Sequence, residues 1–449
     1  MSQDIRIKKG LTIKLVGDAK QTTTSVAQSK VYAVQPADFH GITPKILAKE
    51  GTKVKAGEAL FYSKSDERIL FPSPVSGTVT EIDRGARRRV LAIKIEADAK
   101  QSHKNFGKQK VADLDEAGVK NHLLAAGCWP FIKQRPYDIV ANPNVAPKAI
   151  FISAYASAPL AADYSYTLQG KEEELQTAIT AISKLTKGKV HVSAGANQQT
   201  PFDSISGIEL HKVSGPHPSG NVGTQIAKID PINKGEVVWV ITPQDLVVIG
   251  ELFLTGKLNL TRTIAVTGSK ITEPQYVTAI AGATVADVVA SNIDEDNARI
   301  ISGNVLSGTQ VDADGFLGYY DNQITAIPEG DDYDFFGWNR PIFDKISTSR
   351  ALTFSWLLPK KKFDLNTNTN GEHRAFVVTG SYEEVFPLDI YPLQLLKAFM
   401  VKDLDEMEAL GGYEVAPEDF ALTEFICVSK QPHQQIIREG LDLMKEELG

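Results

Sequence analysis

The segment GCWPFIKQRPYD, residues 127–138, concentrates side chains that can bind a flat, carbonyl-bearing ring. Its aromatic residues offer stacking faces, and its cationic residues offer hydrogen-bond donors. The same composition also suits a loop that covers an interface between domains, and the sequence leaves both interpretations open. The candidate ligand-binding residues are Trp129, Phe131, Lys133, Arg135 and Tyr137.

A second candidate loop is SGPHPSGNVGTQI, residues 214–226, which is rich in glycine. A dinucleotide site needs G-x-G-x-x-G after the first strand of its sheet, because the backbone must approach the pyrophosphate closely. The segment after Ser153, AYASAPLAADYS, has no glycine, and the second loop has neither this fingerprint nor a Walker lysine. It is either a phosphate or nucleotide loop or an ordered interdomain loop. Its candidate contact residues are Gly215, His217, Gly220 and Gly223.

The N-terminal part of the chain has the pattern of a domain that carries biotin or lipoate. Two glycines flank Val54, a hairpin follows, and then comes FPSPVSGTV from Phe71. In such domains the modified lysine lies at the hairpin tip, and counting back from Pro74 places Asp66 there and Lys64 two residues away. A shift of two residues changes the register and reach of the lysine. We therefore expect a structural or docking domain without a covalent cofactor.

Four arginines lie close together after this segment, at positions 84, 87, 88 and 89. The simplest interpretation is a solvated loop face. Docking against acidic lipid or an acidic partner is the alternative.

Composition excludes several classes of protein. A net charge of −7 argues against nucleic-acid binding. Cys128 and Cys427 are too few for an iron–sulfur cluster or a cysteine-rich zinc site, and the eight histidines are scattered without H-E-x-x-H spacing, so we predict no metal site. No signal peptide and no transmembrane run of about 18 apolar residues is evident.

Helical and strand periodicities indicate how these residues are positioned. Asp113 is the predicted N-cap of a helix that runs through Ala126 and ends at Gly127. In residues 171–185, KEEELQTAITAISKL, apolar residues recur at helical spacing. Apolar strands alternate with helices between residues 145 and 255, which predicts a largely parallel, helix-covered sheet.

The predicted fold is multidomain, α/β and β. Residues 1–100 are expected to form a biotinyl/lipoyl-like β barrel-sandwich, and residues 101–256 a Rossmann-like α/β layer. Residues 257–329 are expected to form a β-grasp module of the soluble-ligand-binding kind, and residues 330–449 a mixed, helical C-terminal region.

Three long motifs carry a resemblance over essentially the whole chain: GCWPFIKQRPYD, SGPHPSGNVGT and VVWVITPQDLVVIGELFLTG at Val237–Gly256. They resemble the A-subunit family of the bacterial Na⁺-translocating NADH:quinone oxidoreductases. The order of modules more distantly resembles the C-subunit of the Rnf electron-transport complex and the flavin subunit of respiratory complex I. Those relatives carry a flavin or clustered cysteines, whereas PEDFALTEFICVSKQPH here retains only Cys427.

The resemblance implies a peripheral subunit on the cytoplasmic face of the bacterial inner membrane. It implies no cofactor in this chain, ubiquinone or menaquinone as substrate, and FMN, FAD, riboflavin and iron–sulfur centres in partner subunits. The expected partners are the other subunits of the complex, especially a membrane subunit, and quinone. The alternative function is a soluble flavin- or NAD-dependent dehydrogenase with an atypical glycine loop at Gly215–Gly223.

Overall fold

The computed structural model describes residues 2–290, 292–330, 335–339, 341–348 and 352–449. Residues 331–334, 340 and 349–351 of the predicted C-terminal region, and Ser291 of the predicted β-grasp module, lie outside the described residues.

The described residues contain twenty β-strands. In chain order they are β1 (Asp4–Arg6), β2 (Lys20–Ser25), β3 (Val31–Val34), β4 (Pro44–Ile46), β5 (Lys53–Val54), β6 (Ala59–Ser63), β7 (Asp66–Pro72), β8 (Gly77–Arg84), β9 (Val90–Ala97), β10 (Lys133–Arg135), β11 (Ile139–Val140), β12 (Ala149–Ala154), β13 (Val190–Gly195), β14 (Glu209–Ser214), β15 (Val238–Val240), β16 (Thr261–Thr267), β17 (Gln275–Ile280), β18 (Ala298–Ser302), β19 (Thr309–Val311) and β20 (Gln323–Pro328).

The same part of the chain contains eleven α-helices. They are α1 (Glu116–Ala126), α2 (Tyr164–Thr167), α3 (Glu172–Ile182), α4 (Val222–Ile229), α5 (Pro243–Thr255), α6 (Val285–Val289), α7 (Ser381–Val385), α8 (Pro392–Val401), α9 (Leu404–Ala409), α10 (Ala421–Phe425) and α11 (His433–Leu448).

The central layer is a seven-stranded sheet with the order β1-β14-β13-β12-β15-β10-β11. The first five strands are parallel, and β10 runs antiparallel to β15. Along β12, Ile150 and Ile152 pack in the same core as α3 and α5, whereas Phe151 packs against Ile226 of α4. Because successive strand residues point to opposite faces, the sheet is covered by helices on both sides. The predicted helix-covered parallel sheet is confirmed.

Two sheets of the N-terminal part, β3-β9-β8-β5 and β4-β6-β7, enclose a core that contains Phe61 and Phe71. The turn between β6 and β7 consists of Lys64 and Ser65, with Lys64 exposed. Asp66 is the first residue of β7, so the prediction that it occupies the hairpin tip, with Lys64 displaced from the tip, is wrong. Register shifts interrupt the pairing of β6 with β7, so counting back from Pro74 along a regular hairpin fails.

A six-stranded sheet follows, with the order β19-β18-β20-β16-β17-β2. Its last strand comes from the N-terminus of the chain, and β1 pairs with β14 at the edge of the central sheet. The first 25 residues, which fall within the first predicted domain, thus join both of the other sheets. Beyond them, α8 and α11 pack together with the remaining C-terminal helices around Phe399, Leu441 and Met444.

Two helix predictions can be compared directly with the structure. The predicted end of α1 is confirmed, because Gly127 adopts the left-handed conformation at φ 71°. The predicted N-cap is wrong, since Asp113 lies in a 3-10 turn and Asp115 instead accepts the N–H of Gly118 at 2.7 Å. The helix predicted in residues 171–185 is confirmed as α3 and a short 3-10 extension.

A buried ion pair links the central sheet to the six-stranded sheet. Arg262 at the start of β16 donates to Asp245 in the first turn of α5 at 2.6 Å, and both side chains are 1% exposed. Thr242, the N-cap of α5, donates its hydroxyl to the second carboxylate oxygen at 2.7 Å. A fully buried charge is tolerated only with such partners, so the pair fixes how the two sheets meet.

We expect Arg262→Met to lower the free energy of unfolding by about 3–5 kcal/mol, because it leaves the Asp245 carboxylate buried without a counter-charge. Adding Asp245→Asn to this variant should restore part of the loss, since the uncompensated charge disappears. The measurement is urea denaturation followed by fluorescence. The matched control is Glu81→Gln at the exposed Lys94–Glu81 pair, with an expected change within about 1 kcal/mol. Equal effects of the buried and exposed variants would contradict the argument.

Candidate functional site

The aromatic and cationic segment 127–138 is built into the central sheet. After α1 it forms a 3-10 turn at Trp129–Phe131 and then strand β10, in which Lys133 pairs with Val240 of β15. The backbone of its central part is therefore held by sheet hydrogen bonds.

Two of its aromatic side chains, Trp129 and Phe131, are buried within the protein. The indole N–H of Trp129 donates to the carbonyl of Ala141 at 2.7 Å, and the ring meets Trp239 edge to face at 5.4 Å. Phe131 stacks on Tyr319 with 5.6 Å between ring centroids and an interplanar angle of 15°. The rings of Trp129 and Phe131 thus contact other aromatic side chains of the protein, and both rings support the surrounding structure.

Arg135 is also buried, and it contacts the C-terminal region. Its guanidinium donates to Asp419 at 2.8 Å and to Glu418 at 2.6 Å, and its side chain is 2% exposed. Burial raises the pKa of Glu418, even though the charge of Arg135 acts in the opposite direction. The two charge-assisted hydrogen bonds tie β10 to the segment that precedes α10.

The glycine-rich loop, residues 214–226, contacts the same arginine, Arg135. A Cβ atom on Gly223 would lie 2.4 Å from the Arg135 guanidinium, one on Gly220 would lie 2.5 Å from the backbone nitrogen of Ser157, and one on Gly215 would lie 2.3 Å from the Ile7 carbonyl oxygen. Each glycine thus permits a close approach by the chain itself. The structure brings Arg135 and Gly223 together, which their separation in sequence could not reveal.

His217 of this loop is buried and neutral. Burial lowers its pKa to about 4, and its Nδ1 lies 3.1 Å from the hydroxyl of Ser157. The imidazole therefore packs within the loop and does not face an open site.

Lys133 is the half-buried cation of the segment. Its ammonium lies 4.1 Å from the centre of the Tyr320 ring. Among the described residues, no carboxylate oxygen lies within 4.0 Å of it. Its charge nevertheless acts on Asp38 and Asp321, whose pKa values it lowers against the larger effect of burial. Lys133 thus has an ammonium group that remains able to donate to a ligand.

Tyr137 and Asp138 continue the segment toward α11. The carbonyl of Tyr137 accepts a hydrogen bond from Arg438 at 2.8 Å, and its side chain is half-buried. Burial acts to raise the pKa of Asp138, but Lys133, Arg135 and Arg438 outweigh it and lower the pKa. Asp138 is therefore held as a carboxylate.

The residues around Lys133 come from three parts of the chain. Asp38 of the N-terminal part accepts the N–H of Tyr319 at 2.9 Å, and the Tyr320 hydroxyl donates to the Pro130 carbonyl at 2.6 Å. Ser302 donates to Asp321 at 2.6 Å. We call Asp38, Lys133, Tyr320 and Asp321 the junction cluster.

Two members of the junction cluster are acids with raised pKa values. Burial raises the pKa of Asp38 to about 7 and also raises the pKa of Asp321. The Lys133 ammonium can donate a hydrogen bond to a carbonyl oxygen, and a carboxyl group with a raised pKa can act as a proton donor. The other three members of the cluster, Asp38, Tyr320 and Asp321, were not identified from the sequence. The run Tyr319–Asp321, two residues before β20, is a local pattern that could have drawn attention to Tyr320 and Asp321.

Comparisons with known proteins match the whole chain. Models of three domain families match: the NqrA N-terminal barrel-sandwich hybrid domain at residues 5–98, the NqrA second alpha/beta domain at 114–258, and the NQRA C-terminal domain at 263–313. The A-subunit of the Na(+)-translocating NADH-quinone reductase of Neisseria meningitidis is 35% identical over 446 residues, 99% of this chain and 100% of the relative. The chain belongs to this NqrA family.

Other members of the NqrA family show the same extent of similarity. The protein from Yersinia pestis is 35% identical over 99% of this chain and 100% of its own, and that from Marinomonas sp. is 36% identical over 98% and 99%. The match confirms the resemblance found in the sequence. The N-terminal part is accordingly a barrel-sandwich domain within a mixed α/β protein.

Comparison of structures adds little. Two structures of an NAD+-reducing [NiFe]-hydrogenase, air-oxidized and H2-reduced, align with TM-scores of 0.31 and 0.34 at 10% and 11% identity. They cover 41% and 67% of this chain and 41% and 55% of their own. In the described part of the chain, no helix combines the length and apolarity needed to cross a membrane. Those residues also contain no group of three or more potential metal ligands.

Asp38→Asn tests the raised acid of the junction cluster. Asp38 has a folded-state pKa of about 7 against an ordinary value of 3.8, so its contribution to stability is full below about pH 4 and is lost as pH rises through 7. The asparagine keeps an acceptor for the Tyr319 N–H but carries no charge. The stability of the variant relative to the native chain should increase as pH rises from 4 to 7. Above pH 7 this difference should stay constant.

Urea denaturation midpoints at pH 5 and pH 8 measure this difference. Asp314→Asn, at an exposed position, is the control for loss of one negative charge. A stability difference between Asp38→Asn and the native chain that is the same at both pH values would exclude a raised pKa.

Arg135→Met tests the link to the C-terminal region. It leaves the buried Asp419 without its partner, and we expect a loss of about 3–5 kcal/mol in the free energy of unfolding. Hydrogen exchange should speed up in α10 and α11, whose positions depend on this contact. Arg299→Met, at the half-exposed pair with Glu329, is the control. Unchanged protection of α11 would show that the ion pair does not hold the region.

Proposed function

We propose that the chain is a cofactor-free peripheral subunit on the cytoplasmic face of a bacterial inner membrane. It supports assembly of, and quinone binding by, the Na⁺-translocating NADH:quinone oxidoreductase. Its partners are the other subunits, especially a membrane subunit, and those subunits hold FMN, FAD, riboflavin and iron–sulfur centres. The observation that carries this proposal is the full-length match to an NqrA relative over 446 residues.

The predicted fold can be refined along the same lines. We take the parallel sheet to be Rossmann-like and the module around the six-stranded sheet to be β-grasp. The division at residues 100, 256 and 329 is retained as the proposed domain organisation, with β1 and β2 crossing into the later modules.

We place the quinone headgroup, ubiquinone or menaquinone, at the junction cluster. Its carbonyl oxygen accepts a hydrogen bond from the Lys133 ammonium, and the half-buried Tyr320 ring provides an aromatic wall. Reduction of a quinone to a quinol takes up two electrons and two protons. The electrons come from the cofactors of partner subunits, and Asp38 and Asp321, whose pKa values are raised by burial, act as proton donors.

The five residues of segment 127–138 then have different roles. Lys133 contacts the quinone, whereas the half-buried Tyr137 packs against the core of the C-terminal helices. Trp129, Phe131 and Arg135 position β10 from within the protein, since each is at most 2% exposed. In the loop with Gly215, His217, Gly220 and Gly223, it is Gly223 that packs against Arg135, and no observation favours a nucleotide there.

Lys133→Met tests the quinone site. A charge-assisted hydrogen bond contributes about 1.5–3 kcal/mol, so we expect at least about ten-fold weaker binding of a short-chain ubiquinone. Binding is measured by fluorescence titration of the full-length chain and of the assembled complex, with quinone reductase turnover of the complex as a second readout. Lys133→Arg should retain more affinity than Lys133→Met, because it keeps a cationic donor.

Lys189→Met is the matched control, because Lys189 is an exposed lysine directly before β13 of the same sheet, where it pairs with Glu209 of β14. Unchanged affinity and turnover in the Lys133→Met complex would remove Lys133 from the quinone site. A flavin absorbance band in the purified full-length chain would overturn the cofactor-free proposal and favour the flavin-dependent dehydrogenase.

A further inference from the structure

The turn between β8 and β9 carries an uncompensated positive charge. Arg84, Arg87, Arg88 and Arg89 are all exposed, on a chain whose net charge is −7. Across the ranges that the structure describes, no carboxylate oxygen lies within 4.0 Å of their guanidinium groups. The arginines are therefore available to an anionic partner.

These arginines border a cleft in the barrel-sandwich domain. The cleft has a volume of about 290 Å³ and lies between the turn and the segment around β4. Arg84 donates to the Arg88 carbonyl at 3.2 Å, which braces the turn. Arg84, Arg88 and Arg89 form the cationic wall of the cleft. Its apolar lining consists of Pro36, Ile42, Pro44, Ile46 and Val90.

Two exposed apolar residues directly follow residues that line the cleft, Leu91 after Val90 and Leu47 after Ile46. Leu91 is 41% exposed and lies against Gly85 of the turn, where a Cβ atom would come within 3.1 Å of it. Leu47, directly after β4, is 49% exposed. The surface thus combines guanidinium groups with leucines, as do surfaces that rest at the boundary between lipid headgroups and acyl chains.

We propose that this cleft binds the headgroup of an anionic phospholipid and holds the barrel-sandwich domain against the membrane surface. Guanidinium groups bind phosphate oxygens through paired N–H donors, and the apolar wall accepts the glycerol and upper acyl region. A free phosphate ion would use only the cationic wall. The inference rests on the proposed location at a membrane, but it does not depend on quinone binding.

The test is binding of the full-length chain to vesicles by co-sedimentation at low salt. One set of vesicles contains phosphatidylcholine only, and the other contains phosphatidylcholine mixed with phosphatidylglycerol. We expect binding to the mixed vesicles alone. The combined variant Arg84→Gln, Arg88→Gln and Arg89→Gln should bind roughly 100-fold more weakly, since each arginine near an anionic surface contributes a factor of about five.

The matched control is the combined variant Lys49→Gln, Lys53→Gln and Lys55→Gln. It removes the same charge from exposed positions of the same domain, and Lys53 pairs with Thr78 at the opposite end of β8. The control should bind like the native chain. Leu91→Ser, which keeps every arginine, should weaken binding by a smaller factor, because it removes only apolar contact.

Several outcomes would overturn the proposal. These are equal binding to both kinds of vesicle, native-like binding by the arginine variant, or an equal loss in the lysine control. Release from vesicles by millimolar inorganic phosphate would identify a free-anion site. If the arginine variant bound vesicles normally but failed to join the complex, the turn would be a protein contact. The proposed peripheral location is judged separately, by whether the native chain co-purifies with the membrane complex.

Discussion

The arrangement of the modules depends on the buried ion pair between Arg262 and Asp245. Both side chains are 1% exposed, so each charge is stable only while the other lies beside it. This requirement fixes the first turn of α5 against the start of β16. Phe131 lies 5.8 Å from the Arg262 guanidinium and stacks on Tyr319, so the junction between the modules is assembled around the same pair.

A second buried arginine gives the central sheet its connection to the C-terminal helices. Arg135 leaves the sheet from β10 and meets Asp419 and Glu418, and the close approach of Gly223 leaves room for its guanidinium. Lys133, two residues earlier on the same strand, lies near Tyr320 instead. Neighbouring residues of one short strand thus serve a structural ion pair and a candidate ligand site.

Elements with strong local patterns were predicted well. The apolar run at Ala149–Ala154 is a central parallel strand, and the helical spacing within 171–185 places Leu175 and Ile179 in the core. Predictions that depended on register or on a choice between nearby acids were less accurate. Asp115 caps α1 instead of Asp113, and irregular pairing of β6 with β7 places Lys64 in the hairpin turn. Such details depend on one hydrogen bond or one extra residue, which periodicity does not determine.

By itself, the sequence determined the family, the parallel sheet and the segment that contains Lys133 and Arg135. These follow from long motifs and from periodicity, which are properties of neighbouring residues. Only the tertiary structure decided which of these side chains are buried and which residues surround them. Asp38 and Tyr319 are 281 positions apart, yet they share a hydrogen bond of 2.9 Å. Burial, charge pairing and raised pKa values arise from contacts between distant segments, and those contacts exist only after the chain has folded.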